Sequence, residues 1–459
     1  MSKRRQKDLD VDRTTTTKAP FGAANRLDPE PMDEDMGEFE DPWEDELESE
    51  EEDSGDEEII EDGEDEEIIE DGEDEVMENE MSLTDSKPAN RPRVYLPGYG
   101  LGEGEVLEPD ESAYDMLHRL NVKWPCLSFD IISDQLGDNR MSYPATAYMV
   151  AGTQADKPKN NELMVMKLTQ LHKTHKKDDP VLEHRSIKLR GGVNRVRVTP
   201  QRNLQFCAAW LETGKVHIWD LTLHIKSLDT PGYTTPKAAQ TPTHTVDCHS
   251  TEGYALDWSP LSPGKLLSGD NHTHIYLTTK TESGFTTDQI PCIGHESSVE
   301  DIQWSPNEKN VFCSASADKT VKIWDLRGQR KPSLSVKAHE TDVNVISWNK
   351  STTAAPTPVA SFKWHSAPVT SVEWHPTEES VIAVSGADDQ ISIWDLSVEE
   401  DNEESRIIRD ESGSRIPSQL LFIHQGQTDI KELHWHPQFS GMLISTAASG
   451  FHVFKTVSE

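Results

Sequence analysis

The chain has 459 residues and a formal net charge of −39, so it is long enough for a sizeable core and more than one region. No run approaches the roughly 18 apolar residues that a membrane-spanning helix needs, and the N-terminal MSKRRQKDLD lacks the apolar core of a secretory signal. The five cysteines are at least 21 residues apart, which provides neither a disulfide framework nor a CxxC metal pair. The composition therefore favours an intracellular protein.

The negative charge is concentrated near the N-terminus. Residues 28–80 contain 32 Asp and Glu and no Lys or Arg, and the unit EEIIEDGED occurs twice in succession at 57–74. So many like charges with few large apolar residues cannot bury enough surface to offset the entropy lost on folding. We therefore predict that residues 1–90 form a disordered leader, first basic and then strongly acidic. Such a polyanion is either a solubilising tail or a lure for a very basic partner.

An internal repeat begins after about residue 94. VEDIQWSPNEKNVFCSASADKTVKIWDL (299–326) and VTSVEWHPTEESVIAVSGADDQISIWDL (369–396) have equal length and both close on Trp-Asp. Their short β-branched runs between turn residues predict antiparallel strands. Degenerate copies recur at intervals of roughly 40 to 60 residues, which is typical of a WD-repeat β-propeller.

Counting the innermost strands predicts an all-β, seven-bladed propeller that spans 127–459. Its first strand, LSFDII (127–132), is expected to pair with the last blade and so to close the ring. The fifth blade is short, because Trp374 follows Trp348 by only 26 residues. We therefore predict that this blade is truncated and lacks its two later strands. The predicted blades lie at 127–168, 193–221, 254–279, 299–326, 343 onward, 369–396 and 430–456.

The histidines of the repeat have a structural interpretation. His295, Asp318 and Trp324 are placed to form a buried hydrogen-bonded chain within one blade, and similar residues recur in other units, whereas a catalytic constellation occurs once per protein. The HxxH of His172 and His175 stands alone and is not expected to bind metal. The sequence contains no phosphate loop, nucleophile elbow or zinc spacing, so we expect no enzyme activity and no cofactor.

Three further segments are similar to a known family. YDMLHRLNVKWPCLSFDI (114–131), GGVNRVRV (191–198) and QLLFIHQGQTDIKELHWHP (419–437), together with the acidic leader, resemble the glutamate-rich WD-repeat proteins. These proteins are ribosome-assembly relatives of the retinoblastoma-binding histone chaperones. The resemblance covers about residues 92–459 and implies a non-enzymatic chaperone or scaffold in the nucleus and nucleolus, with the cytoplasm as a further compartment.

The resemblance also implies partners and a binding site. The implied client is the L-three protein of the large ribosomal subunit, with histones and pre-ribosomal particles as further partners and no sequence-specific binding of nucleic acid. The implied site is a groove between an N-terminal helix near 111–120, within a linker (91–126) that docks on the propeller, and an acidic loop at 397–416. The residues expected to bind the client are Tyr114, Leu117, Leu120, Glu399, Glu400, Asp401, Glu403, Glu404, Leu420, Leu421 and Phe422.

The residues support this groove independently of the resemblance. Five of the six positions 399–404 are carboxylates, and they precede an apolar rim that suits a basic amphipathic helix. An ordinary solvated loop is the alternative interpretation. The sequence does not distinguish a ribosomal client from a histone client. A third possibility is a substrate adaptor for a ubiquitin ligase, because Trp324, Asp325 and Arg327 match the WDxR box of propellers that dock on such ligases.

Overall fold

The computed structural model describes residues 110–175, 178–351, 358, 360–399 and 416–457. The predicted leader and most of the predicted acidic loop lie outside these residues. The described part contains one α-helix, α1 (Thr222–Asp229), and none of its helices is long and apolar enough to cross a membrane.

The described residues form 24 strands. The first twelve are β1 (Tyr114–Leu120), β2 (Cys126–Ile132), β3 (Ala145–Thr153), β4 (Glu162–Leu171), β5 (Val181–Lys188), β6 (Val193–Val198), β7 (Phe206–Leu211), β8 (Lys215–Asp220), β9 (His244–Val246), β10 (Ala255–Trp258), β11 (Lys265–Gly269) and β12 (Ile275–Thr281). The others are β13 (Gly284–Thr287), β14 (Val299–Trp304), β15 (Val311–Ser316), β16 (Thr320–Asp325), β17 (Pro332–Lys337), β18 (Val369–Trp374), β19 (Val381–Gly386), β20 (Gln390–Asp395), β21 (Leu420–His424), β22 (Ile430–Trp435), β23 (Met442–Ala447) and β24 (Gly450–Thr456).

These strands make six antiparallel sheets of four strands each. We number them in chain order: sheet I is β2–β5, sheet II β6–β9, sheet III β10–β13, sheet IV β14–β17, sheet V β18–β21, and sheet VI β22–β24 with β1 at its outer edge. The all-β propeller prediction is confirmed. Six complete sheets, rather than the predicted seven blades, are present in the described residues.

The ring closes through a different strand from the predicted one. The strand at 126–132 begins sheet I, and β1 is the one that pairs with β24, with Leu117 opposite Phe454. The prediction that 127–132 pairs with the last blade is therefore wrong. The closing strand lies about ten residues earlier, and it covers an edge of β24 that would otherwise be unpaired.

The predicted helix at 111–120 is also wrong. Only Glu111–Ala113 form a short 3₁₀ turn, whose N-terminus is capped by the Asp110 carboxylate. From Tyr114 onward the chain is extended, and alternate side chains up to Leu120 are buried. The i, i+3 spacing of Tyr114, Leu117 and Leu120 suggested a helix, but pairing along β24 imposes the two-residue period of a strand.

Neighbouring sheets are joined at their innermost strands by a recurring hydrogen bond. The indole N–H of an innermost tryptophan donates to a main-chain carbonyl of the preceding innermost strand. The bonds are Trp258 to Arg197 at 3.0 Å, Trp304 to Asp257 at 3.1 Å, and Trp435 to Glu373 at 3.2 Å.

Between sheets IV and V this position is occupied by the single segment 343–349. Trp374 donates its indole N–H to the carbonyl of Ser347 at 3.2 Å, and the N–H of Ile346 donates to the Asp301 carboxylate at 3.0 Å. The segment thus lies between β14 and β18 as an innermost strand would. Among the described residues, no further strand extends it into a sheet.

Five buried apolar clusters form the core between adjacent sheets. They join sheets VI and I, I and II, II and III, III and IV, and V and VI. In the described part of the chain, the junction of sheets IV and V is the one without such a cluster. The short interval between Trp348 and Trp374 therefore corresponds to a real interruption in the packing.

Candidate functional site

The predicted histidine network is present and buried. In sheet IV, His295 Nδ1 is 2.8 Å from the Asp318 carboxylate and its Nε2 is 2.6 Å from Ser314 Oγ, which also accepts the indole N–H of Trp324 at 2.8 Å. Burial lowers the pKa of His295, although Asp318 opposes this. Burial alone would raise the pKa of Asp318, but hydrogen bonds from Thr320 and His295 hold it at about 2.

The same arrangement recurs, which supports its structural role. In sheet V, His365 lies 2.9 Å from Asp388 and 2.8 Å from Ser392, whose hydroxyl accepts the indole N–H of Trp394. Sheet III has His249 against Asp270 at 2.9 Å. Because each chain is saturated by its own blade, these histidines hold turns against strands and are not placed as catalytic bases.

A buried ionic network crosses the central channel. The Glu432 carboxylate, which is 1% exposed, accepts hydrogen bonds from Arg195 at 2.8 Å, Ser128 Oγ at 2.7 Å and the main-chain N–H of Phe129 at 2.9 Å, and lies 2.9 Å from Arg197. Burial would raise the pKa of Glu432, but the two guanidinium groups and His434 hold it well below its usual range. This one side chain thus joins sheets VI, I and II.

The channel also contains a histidine cation. His434 lies 2.9 Å from Glu373 and 3.7 Å from Glu432. Burial opposes its charge, but these carboxylates raise its pKa to about 10. The surrounding cavity has a volume of about 530 Å³ and is lined by the innermost strands and by residues 345–351. Its charges neutralise one another, and the described residues contain no group of three or more side chains arranged to hold a metal ion.

The two predicted walls of the client groove meet, but they meet as a packed core. Tyr114 on β1 is 6% exposed, its hydroxyl is 2.8 Å from His424 Nδ1, and its ring packs edge-on against Phe422 at 5.3 Å. Leu117 is half-buried in the same cluster. Leu120 is 6% exposed and belongs to the core between sheets VI and I. Tyr114 and Leu120 therefore have almost no surface to offer a client.

The apolar rim of the groove is divided between two faces. Phe422 points toward β1, whereas its neighbour Leu421 is 52% exposed and points to the opposite face of sheet V. Leu420 is half-buried at the start of β21. Consecutive residues of a strand alternate in direction, so the three residues do not form the single wall that the sequence suggested.

Only the ends of the acidic loop are described. Glu399 is exposed. The side-chain amide of Gln419 donates to the carbonyl of Val398 at 2.9 Å, so the two ends lie together beside β21. The other four predicted carboxylates, Glu400, Asp401, Glu403 and Glu404, lie outside the described residues.

The residues of the predicted ligase-docking box divide in the same way. Trp324 is 1% exposed and is engaged with Ser314, so it serves the blade. Asp325 and Arg327 form an exposed pair, with Nε to Oδ1 at 2.8 Å and Nη2 to Oδ2 at 2.7 Å. Hydrogen bonds from Arg327 lower the pKa of Asp325 to about 2. The Arg327 guanidinium is thus engaged within its own turn.

The channel network is the feature that reasoning from the sequence missed. A signal for it exists, because charged residues alternate with apolar ones in VNRVRV and IKELHW, which puts Arg195 and Arg197, and likewise Glu432 and His434, on one edge of an innermost strand. Charges at two-residue spacing inside an apolar strand indicate a polar interior.

Comparison with known proteins gives two family matches and several relatives. The family model described as histone-binding protein RBBP4 or a subunit of the CAF1 complex matches residues 104–172, and the model for the WD domain, G-beta repeat, matches 288–325 and 356–395. The chain is 47% identical to ribosome assembly protein rrb1 of Schizosaccharomyces pombe, over 93% of this chain and 94% of that protein. It is 40% identical to the protein HEAT STRESS TOLERANT DWD 1 of Arabidopsis thaliana (80% and 92% covered) and 41% identical to glutamate-rich WD repeat-containing protein 1 of Dictyostelium discoideum (78% and 83% covered).

Proposed function

Because this chain belongs to the family of glutamate-rich WD-repeat ribosome assembly proteins, we propose that it is a chaperone or scaffold for a basic client during ribosome assembly. The observation that carries the proposal is the similarity to ribosome assembly protein rrb1, which extends over 93% of the chain rather than over the repeats alone. The proposed client is a ribosomal protein of the large subunit, the L-three protein, met in the nucleus or nucleolus.

The charge distribution supports a basic client. Residues 28–80 contain 32 carboxylates without a lysine or arginine, and a new ribosomal protein is rich in both of the basic residues. A polyanion attracts such a protein over roughly a Debye length, about 10 Å at 0.1 M salt, and competes with nucleic acid for it. The leader would therefore act on the rate of capture.

Selectivity is proposed to come from the surface beside β1 and β21. Leu117 and Phe422 are half-buried there, and the two ends of the acidic loop emerge next to β21. An apolar strip bordered by carboxylates suits a basic amphipathic helix. Tyr114 and Leu120 would support this surface from within rather than touch the client.

Binding kinetics across a salt series test the leader. Deleting residues 28–80 should lower the association rate for the L-three protein and flatten its salt dependence, with a smaller effect on dissociation. An association rate and salt slope equal to those of the full chain would refute the electrostatic role of the leader.

A pull-down tests the selective surface. Neutralising Glu399, Glu400, Asp401, Glu403 and Glu404 should weaken the client complex while the melting temperature stays close to that of the wild type, because exposed charges contribute little to folding. Leu117→Asp should weaken it from the other side. The matched control neutralises five exposed carboxylates elsewhere, Asp179, Glu183, Glu212, Glu282 and Glu296. Full retention of the client by both site variants would move the binding site elsewhere.

A histone is the second candidate client. The family model that matches residues 104–172 is named for histone-binding proteins, and this match includes β1–β4. Affinity purification with mass spectrometry separates the candidates. Ribosomal proteins and assembly factors should dominate if the first proposal is right, histones would favour the second, and ubiquitin-ligase subunits would favour the adaptor.

A further inference from the structure

The junction between sheets IV and V differs from every other junction of the described ring. Elsewhere, the outer strands of adjacent sheets bury an apolar cluster between them. Here the segment 343–349 supplies an innermost strand, and no described residue provides a second one. The faces of sheets IV and V that turn toward this junction therefore lack the neighbouring sheet that covers such faces elsewhere.

Sheet IV turns an apolar row toward this junction. Its other face contains Trp324 and packs against sheet III. Side chains directly opposite one another in an antiparallel pair share a face, so residues adjacent to Trp324 on β16 lie on the junction side with their partners on β17. The two pairs on that side are Val321 with Val336, and Ile323 with Leu334. Leu334 is 51% exposed and Val336 is 40% exposed.

Sheet V turns a second apolar row toward it. Its other face packs against sheet VI through Ile391 and Ile393. On the junction face Phe362, which is 41% exposed, packs on Trp394 with a ring separation of 4.6 Å, and Leu421 is 52% exposed. The strand residues of this face are Val372, Trp374, Ile382, Val384, Trp394 and Ile423.

The innermost segment also presents an unused main-chain edge. The N–H groups of Ile346 and Trp348 donate to side chains of β14. Alternate N–H groups of an extended chain point to opposite edges, so those of Val345 and Ser347 point away from β14. Within the described residues, neither Val345 nor Ser347 donates a main-chain hydrogen bond. Such an edge is complementary to one kind of partner, an extended strand.

We propose that this junction binds an extended, basic segment of a partner protein, which adds as a strand to the edge of Val345 and Ser347. Alternate side chains of that strand would cover the apolar faces of sheets IV and V. The surroundings favour a basic partner, because residues 340–379 contain five Asp and Glu against two Lys. The surface lies on the opposite side of sheet V from the client surface beside β1, so it is a separate site.

Fluorescence anisotropy with the full chain tests the proposal. The probe is a labelled peptide of about ten residues in which valine alternates with lysine, a length typical of a strand. We expect saturable binding that weakens by about tenfold or more when the peptide's valine nitrogens are methylated, since this removes main-chain donors without changing the protein. The double variant Leu334→Ser with Val336→Ser should weaken binding to a similar degree. Its control, Ser333→Ala with Ser335→Ala on the same exposed strand, should not.

Each alternative outcome is distinct, because the acidic leader is the same in all these proteins. Absence of binding, or equal binding by the double variant and its control, overturns the site. Equal affinity for the methylated peptide overturns strand addition, and equal affinity for a valine-glutamate peptide overturns the basic character of the partner. Sedimentation that shows a dimer of the full chain, lost in the double variant while no peptide binds, would assign the surface to a second copy instead.

Discussion

Replacing Glu432 with glutamine should destabilise the ring far more than an ordinary carboxylate-to-amide change. The side chain is 1% exposed and faces Arg195 at 2.8 Å and Arg197 at 2.9 Å, which are themselves largely buried. Removing one partner of a buried ion pair typically costs about 3–5 kcal/mol. Glutamine keeps one acceptor oxygen and nearby Asp130 still faces Arg197, so we expect the lower end, about 3 kcal/mol.

Urea unfolding followed by circular dichroism measures this effect. The matched control is Asp429→Asn in the same sheet, where the carboxylate is 57% exposed beside Lys431 and should contribute at most about 1 kcal/mol. The folded-state pKa of Glu432 lies below its unfolded value, so its stabilisation is present above the usual glutamate pKa and is lost as the pH falls through the folded-state pKa. The gap between wild type and Glu432→Gln should therefore narrow in strong acid. A loss no larger than that of Asp429→Asn would refute the view that this network ties the ring together.

Three other changes test separate features. Asp257→Asn should remove a fall in stability between about pH 4 and pH 7, because burial raises the folded-state pKa of Asp257 to about 7 and the folded state keeps a proton that the unfolded state loses; a urea series at several pH values measures it, and an unchanged pH profile would contradict it. Ser314→Ala should cost about 1–3 kcal/mol in urea unfolding, since His295 and the Trp324 indole each lose a buried partner, whereas the exposed Ser333→Ala should be neutral. Inserting a second and third strand after residue 350 should raise the melting temperature and slow amide exchange at Val345 and Ser347; fast exchange in both forms would show that these amides stay open for another reason.

The repeat and its internal hydrogen bonds could be predicted because they are local in sequence. His295, Asp318 and Trp324 lie within one unit of the repeat, and the structure brings them together as expected. The interruption after Trp348 was visible as a shortened interval for the same reason. In both cases the relevant partners are less than about 30 residues apart, and the turn residues between them fix the register.

The errors all involve partners that are distant in the chain. β1 is a strand because of its pairing with β24, more than 300 residues later, and nothing in YDMLHRL alone distinguishes that strand from a helix with apolar residues every third position. The bond from Ser128 to Glu432 spans a similar distance. Leu421 and Phe422 looked like one apolar wall, but the strand period sends them to opposite faces.

The interrupted junction shows which interactions keep the ring continuous. Ile346 contacts Asp301 on one side and Ser347 contacts Trp374 on the other, so the innermost circle of hydrogen bonds passes through 343–349 without a break. Among the described residues, what this position lacks is the outer strands, which carry the apolar burial between sheets elsewhere. Continuity and burial are therefore supplied by different layers of the same fold, and the loss of one layer at one position leaves the order of the sheets intact. What it changes is the surface, since an apolar face that a complete propeller would bury becomes available to another chain.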